Sequence, residues 1–135
     1  MALNLFLKDP PAYSDLDLDF FPNPATYDIA RKVGDEAIKR AVRNIIFTNF
    51  YEKPFYPSFG SNVRALLFEN CTPVTAALID DAITSSLQNF ESRIIITSLV
   101  VTADPDNNGF NVKLEYIIKD RQLPVITTLF LERIR

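Results

Sequence analysis

Histidine and tryptophan are absent from the chain, and cysteine occurs once, as Cys71. Without histidine, neither a Ser-His-Asp triad nor a Cys-His pair can form, which excludes the usual nucleophile systems of hydrolases. A structural zinc site needs several Cys and His ligands, and one cysteine cannot supply them. A single cysteine also excludes an intramolecular disulfide, so we expect a reducing cytoplasm rather than a secreted, disulfide-held fold.

Glycine is also scarce, with three residues far apart in the chain, so neither a dinucleotide fingerprint nor a P-loop can be written. The net charge is −3 and the pI is about 4.9, which argues against a nucleic-acid partner. No apolar run reaches the roughly 20 residues that cross a bilayer, and residues 1–10 lack the pattern of a secretory leader. We expect no cofactor, no membrane partner and no nucleic-acid partner.

The first 26 residues predict an extended arm. Proline interrupts this segment at Pro10, Pro11, Pro22 and Pro24, and each proline removes a backbone donor and restrains its neighbour. The remaining residues are enough for one core. We therefore divide the chain into an arm, 1–26, and one domain, 27–135, and expect the arm to become ordered on a partner.

Acidic and apolar residues alternate in the segment 15–21 of this arm. The simplest interpretation turns Leu16, Leu18 and Phe20 to one side and the acids toward solvent. The acids also resemble the opening of a calcium loop, which requires glycine at its sixth position and glutamate at its twelfth. Those positions hold Phe20 and Thr26, so the pattern does not predict an EF-hand.

Helical periodicity occurs in three segments of the domain. Two acids open the first, which suits the positive end of a helix dipole, and apolar spacing then predicts a helix over 35–48. A short helix is predicted over 61–68, with Ser61 as its cap. Thr72 and Pro73 predict the start of a third helix, with Thr at the N-cap and Pro at the first position, ending near residue 89.

After Arg93 the pattern becomes typical of β-structure. Residues 94–102 are rich in β-branched side chains, and 104–109 consist of turn formers. Residues 110–119 alternate apolar and polar side chains, and 124–131 offer a third strand. Helices followed by an antiparallel β-meander predict an α+β fold.

The segment 51–61 is a loop broken by two prolines and a glycine, and it is rich in aromatic residues. These residues are Tyr51, Phe55, Tyr56 and Phe59. One interpretation packs the rings on the domain's own core. The other makes them a contact surface for a partner, because aromatic residues are enriched among interface anchors.

Carboxylates are the remaining candidates for catalysis, and Glu52, Glu69 and Glu91 lie near boundaries between predicted elements. A glycosidase needs two carboxylates about 5 Å or about 6.5–9.5 Å apart, on either side of a sugar cleft. A small carboxylate-based peptidoglycan hydrolase that uses Glu69 and Glu91 is therefore the alternative to a structural protein.

Several motifs, in order along the chain, carry a resemblance to a known family. They read AIKRAVRNIIFT, KPF, PSFGS, LLFE and FESRI between residues 37 and 94. On these motifs the chain resembles, over roughly 13–135, the small baseplate wedge proteins of contractile-tailed phages and the short baseplate component of type VI secretion systems. It departs from the family pattern at Ser92, where the family's Glu-Pro-Arg signature has proline, and at Tyr51, where the family has glycine before the loop glutamate.

The resemblance implies a structural protein and no enzyme. Members of the family lie in a six-fold baseplate close to the tail tube, and form the platform on which the first ring of tail sheath assembles. For this chain the resemblance implies assembly in the cytoplasm of a bacterial host and a final location in the virion tail baseplate. The implied partners are other baseplate wedge proteins, the tail sheath protein and the tail tube.

Two kinds of contact are expected from the residues themselves. The meander can expose a sheet edge to which a strand of the sheath protein adds. Glu91 and Arg93 point to the same side of an extended segment, and they either bind a neighbouring wedge subunit or pair with each other. The predicted partner-binding residues are Glu52, Phe55, Phe59, Glu91, Arg93 and Arg133.

Overall fold

The computed structural model describes residues 13–17, 19–119 and 121–134, with only the backbone of residues 121 and 122. The elements, in chain order, are β1 (Ser14–Leu16), β2 (Arg31–Val33), α1 (Asp35–Phe47), α2 (Val63–Leu66), α3 (Pro73–Phe90), β3 (Ile94–Asp104), β4 (Gly109–Ile118) and β5 (Arg121–Glu132). This order of helices and then a β-meander confirms the predicted α+β fold.

Two compact units divide the chain, Met1–Ile38 and Lys39–Arg135, and the boundary falls within α1. The division predicted at residue 26 remains a prediction, because most of the first half of the arm lies outside the described residues.

In the first unit, β1 and β2 form an antiparallel pair that encloses a buried acid. Asp17 is only 3% exposed, and its backbone N–H donates to the carbonyl oxygen of Ala30. Its carboxylate lies 3.4 Å from Nζ of Lys32. The expected orientation of this segment is therefore wrong, since Leu16 is 58% exposed and the acid is inside. Leu18 lies outside the described residues.

The helices follow the predicted pattern with one correction. α1 covers the predicted segment, and the Thr72 side chain accepts a hydrogen bond from the backbone of Thr75 at the start of α3, as expected for an N-cap. α2 is shorter than predicted, and its N-cap is Asn62. Ser61 is instead buried, and its hydroxyl donates to the carbonyl oxygen of Ile46 at 2.6 Å, which ties α2 to α1.

The three-stranded sheet of the second unit has the order β3-β4-β5, and all its pairs are antiparallel. Alternate residues of β4 form the centre of the inner face, and each is 0–1% exposed: Phe110, Val112, Leu114, Tyr116 and Ile118. α3 packs against β3 and buries Ile79, Ile83 and Leu87 completely. Each such side chain stabilises the fold by roughly 1.5–3 kcal/mol relative to exposure, so this layer is the main core.

Gly109, at the start of β4, allows a close approach of β5. A Cβ atom at this position would collide with Cζ of Phe130 and would lie 2.7 Å from the carbonyl oxygen of Leu131. The ring of Phe130 can rotate away, whereas the carbonyl belongs to the backbone of a paired strand. The position therefore requires glycine because of space.

We expect Gly109→Ala to lower the free energy of unfolding by about 1–3 kcal/mol, because the added methyl overpacks the junction of β4 and β5. Urea denaturation monitored by circular dichroism measures this change. Thr102→Ala, at an exposed position of β3, is the control, and we expect it to change stability by no more than about 0.5 kcal/mol. Equal stability of the two variants would contradict the close approach.

Candidate assembly surfaces

The outer edge of β5 presents backbone groups that no other strand of the described residues pairs with. The N–H of Arg133 donates to the carbonyl of Asn108, just beyond the end of the β4–β5 ladder. In an antiparallel ladder, hydrogen-bonded and non-hydrogen-bonded pairs alternate, so alternate residues of a strand point their backbone N–H and C=O groups toward the neighbouring strand. The bond of Arg133 therefore fixes which residues of β5 point these groups toward β4 and which point them outward. The residues of β5 with outward N–H and C=O groups are Ile126, Thr128, Phe130 and Glu132.

Pro124 lies at the next outward position toward the start of β5. Its missing N–H would point away from the sheet, which is where proline is tolerated in a strand. From Val125 to Glu132 the register with β4 is unbroken. This run is the regular part of the edge.

The opposite edge of the sheet, β3, is less suited to pairing. Its register with β4 shifts between Ile96 and Ser98, which leaves Thr97 as an extra residue in a bulge. A bulge bends the strand and interrupts its row of outward backbone groups. α3 also packs against this strand. The β3 edge is therefore divided, with an unbroken register only from Ser98 to Asp104, and β5 has the longer regular edge.

Glu91 and Arg93 form an ion pair within the chain, where α3 ends and β3 begins. Nε of Arg93 donates to Oε1 of Glu91 at 2.7 Å, and Nη2 donates to Oε2 at 2.7 Å. The side chain of Glu91 is 4% exposed and that of Arg93 is 24% exposed. The geometry is thus that of the internal alternative, with both carboxylate oxygens bonded. Contact of either residue with a wedge subunit remains a prediction.

The aromatic loop is closed at its base by backbone contacts. Asn49 and Ser61 form an isolated parallel bridge, and a Cβ atom on Gly60 would collide with the carbonyl of Thr48. Oε2 of Glu52 accepts a hydrogen bond from the backbone of Asn49 at 2.8 Å. Glu52 therefore stabilises its own loop, and its predicted contact with a partner is not tested by this geometry.

The rings of the loop divide between the two interpretations. Phe59 packs on Phe90 of α3, with ring centroids 5.0 Å apart, and Nζ of Lys53 lies 4.4 Å from the centroid of Phe59. Tyr56 lies edge-on to Phe90. Phe55, in contrast, is fully exposed and has a φ of 64°. Phe59 thus packs within the domain, and the partner contacts predicted for Phe55 and Phe59 both stay predictions.

Tyr51 also adopts the left-handed backbone region, with a φ of 64°, and its side chain is 85% exposed. This region favours glycine, since a Cβ atom makes it costly. The glycine that the family pattern has at this position therefore has a backbone reason. In this chain a tyrosine occupies the position, and its left-handed backbone conformation leaves the turn locally strained.

Arg133 joins three segments of the second unit. Its Nε donates to the carbonyl oxygen of Glu69 at 2.8 Å, Nη2 donates to Oδ1 of Asn70, and its backbone N–H donates to Asn108. The sequence placed Arg133 near the end of a strand but contained no signal for these contacts, and those with Glu69 and Asn70 span more than 60 residues. Its predicted role toward a partner stays a prediction.

Of the two carboxylates of the hydrolase alternative, Glu91 lies in a cleft whose lining does not include Glu69. Glu91 lines a cleft of about 350 Å³ that does not include Glu69, and its oxygens are bonded to Arg93. Burial raises the pKa of Asp80 on α3, and the charge of Asp81 raises it further. Neither of these aspartates is a sequence neighbour of Glu69 or Glu91. Both oxygens of the Glu91 carboxylate are thus engaged by Arg93.

A second calcium-loop pattern, missed in the sequence, runs from Asp104 to Glu115 with glycine at its sixth position. The structure separates its ends, since Glu115 lies six residues along β4 from Gly109, or about 20 Å. The Asp104 carboxylate instead accepts hydrogen bonds from Asn107, which lower its pKa. Among the described residues no three His, Cys, Asp or Glu side chains are grouped as metal ligands.

No helix within the described ranges is both long and apolar enough to span a bilayer. The candidate assembly surfaces are the outer edge of β5, the aromatic loop and a cleft beside the C-terminal end of β5. These surfaces are typical of a protein that assembles with others.

Solved structures with a similar fold include two baseplate chains and a tail protein. A chain of the six-fold symmetrised anti-feeding prophage (AFP) baseplate has a TM-score of 0.63 at 17% identity, covering 91% of this chain and 87% of that one. A chain of the postcontraction baseplate of pyocin R2 has a TM-score of 0.54 at 16% identity, covering 87% and 98%. A candidate tail lysozyme of Geobacter sulfurreducens has a TM-score of 0.62 at 21% identity, covering 73% and 91%. These identities establish the fold alone, a fold found in contractile-tail baseplates.

Sequence comparison is more specific. The family model described as baseplate wedge protein gp25 matches residues 32–122. The baseplate wedge protein gp25 of Enterobacteria phage T4 is 32% identical over 108 residues, which are 80% of this chain and 81% of the phage protein. The chain therefore belongs to the gp25 baseplate wedge family of contractile-tail phages, a family of structural proteins, and the predicted resemblance is confirmed.

We expect Arg93→Met to lower the free energy of unfolding by about 2–4 kcal/mol, because it leaves the buried Glu91 carboxylate without its bidentate partner. The double variant Glu91→Gln with Arg93→Met should recover part of the loss, since the uncompensated charge is gone. Chemical denaturation of the wild type, both single variants and the double variant gives the coupling between the two residues. A coupling near zero would show that the ion pair does not stabilise the junction.

We expect Tyr51→Gly to be more stable than Tyr51→Ala by about 1 kcal/mol, because glycine adopts the left-handed conformation without the Cβ penalty. The two variants both remove the exposed ring, so their difference isolates the backbone. Thermal unfolding of both proteins provides the measurement. If the alanine variant is the more stable, residue 51 is not strained.

Proposed function

We propose that the chain is the sheath-nucleating component of its baseplate wedge. In this proposal it assembles in the cytoplasm of a bacterial host, lies near the tail tube, and contacts other wedge proteins. The six-fold symmetry of the AFP baseplate supports six copies, or a multiple of six, in each particle.

The regular outer edge of β5 is the observation that carries the proposal. Ile126, Thr128, Phe130 and Glu132 direct backbone donors and acceptors outward, and an added strand satisfies them by β-augmentation. A subunit of the first sheath ring supplies that strand. The side chains of Ile126 and Phe130 are also exposed, by 58% and 46%, so the added strand gains apolar contacts on the same face.

We expect Thr128→Pro to prevent sheath from polymerising on the baseplate while the protein still folds. The substitution removes an outward N–H and leaves the ladder with β4 unchanged, as at Pro124. Electron microscopy of particles made with the variant measures sheath length, and circular dichroism of the purified variant checks its fold.

Thr128→Val is the matched control, because it changes the exposed side chain and retains the N–H. Particles with this variant should carry sheath of normal length. Full sheath on particles with Thr128→Pro would contradict strand addition at β5.

A further inference from the structure

A cleft of about 660 Å³ opens beside the C-terminal end of β5. Its lining includes Phe47 of α1, Leu67 just after α2, and Phe130, Leu131 and Ile134 of the C-terminal segment, where the N–H of Ile134 donates to the carbonyl oxygen of Leu67. Phe130 belongs to the outer face of the sheet and Leu131 to the inner face. Because both line the cleft, it reaches β5 at the strand's edge, beside the outward backbone groups.

Two arginines give this apolar cleft a positive rim. Arg43 and Arg64 both line it and are exposed, and the guanidinium of Arg43 lies 5.6 Å from the ring centroid of Phe47. No carboxylate among the described residues pairs with either arginine. Glu132 is the acid that lines the cleft, so the rim has an excess of positive charge in a chain whose net charge is −3.

We propose that this cleft binds the end of the same partner strand that pairs with β5, and that this end carries a bulky apolar side chain next to a carboxylate. The inference rests on the proposed function, and adds the chemistry of the segment that the edge selects. The apolar lining accepts the bulky side chain. The guanidinium groups supply paired N–H donors that match a carboxylate.

The length of the edge supports a single continuous occupant. The outward residues from Ile126 to Glu132 span about 20 Å at the rise of a β-strand. Ile134, at the next outward position, donates its N–H to the carbonyl oxygen of Leu67, so the free edge ends at Glu132 and a strand paired along it has its next residue beside the cleft lining. Pairing along β5 gives affinity without much selectivity, since it uses backbone groups, and the cleft adds selection by side chain and charge.

Photo-crosslinking in assembled particles tests the inference. Benzoylphenylalanine replaces Phe47 in one preparation and Thr128 in another, and mass spectrometry identifies the crosslinked peptides. We expect both positions to crosslink to one segment of the sheath protein. The peptide captured at residue 47 should contain Asp or Glu within two positions of a large apolar residue. Benzoylphenylalanine in place of Val74, exposed on α3, is the control and should not capture this segment.

A charge test accompanies the crosslink. Arg43→Glu combined with Arg64→Glu should lower the yield at residue 47 at least tenfold, while Lys119→Glu, a reversal at an exposed position of the same unit, leaves it unchanged. Equal loss from both reversals would indicate general electrostatics and overturn the proposed charge selection.

The two positions separate this inference from the proposed function. Capture of sheath at residue 128, with no sheath peptide or a peptide without carboxylates at residue 47, overturns the cleft assignment and leaves strand addition in place. Capture of a different wedge protein at residue 47 also overturns it. Absence of a sheath peptide at residue 128 overturns strand addition, and with it the occupant proposed here.

Discussion

One helix covers one side of a three-stranded sheet, and the rest of the second unit depends on this constraint. α3 packs against β3, and with its side chains it extends only about 5–6 Å from its axis. β5 lies two strand spacings away from β3, about 10 Å. On the inner face of β5, Val125, Thr127 and Leu129 are accordingly half-buried, whereas Leu131 near the end of the strand is 1% exposed. Most of β5 is thus a border that the core covers only in part.

The junction between α3 and β3 sets where that border lies. The helix ends at Phe90, the strand begins at Ile94, and the bonded side chains of Glu91 and Arg93 join the two. The aromatic loop packs on Phe90 from outside. A change of angle at this point would move the helix relative to the sheet, and with it the depth at which every inner residue is buried. The loop and the ion pair thus both act on the position of α3.

The sequence predicted those elements whose signals are local. Thr72 and Pro73 marked the start of α3 because capping is a contact between residues three positions apart. The change from helical spacing to β-branched residues after Arg93 predicted the meander, because side-chain periodicity reflects which face is buried. The family motifs predicted the structural role, and neither helix caps nor periodicity could have done so.

Features that depend on distant partners were not predictable. Asp17 is buried because Lys32 and the backbone of Ala30 are brought to it, and alternation alone suggested the opposite orientation. The contacts of Arg133 join segments that the sequence separates by more than 60 residues. The direction of each backbone group on β5 required the register with β4. That register is fixed by the whole ladder and by no single motif.

The bulge at Thr97 makes the two edges of the sheet different from each other. A sheet with two regular edges can be lengthened from both sides, so identical copies can join edge to edge into an open-ended ribbon. The bulge divides the β3 edge, which keeps an unbroken register from Ser98 to Asp104, whereas the β5 edge is unbroken from Val125 to Glu132. The two edges of this sheet therefore offer added strands unequal lengths of regular backbone.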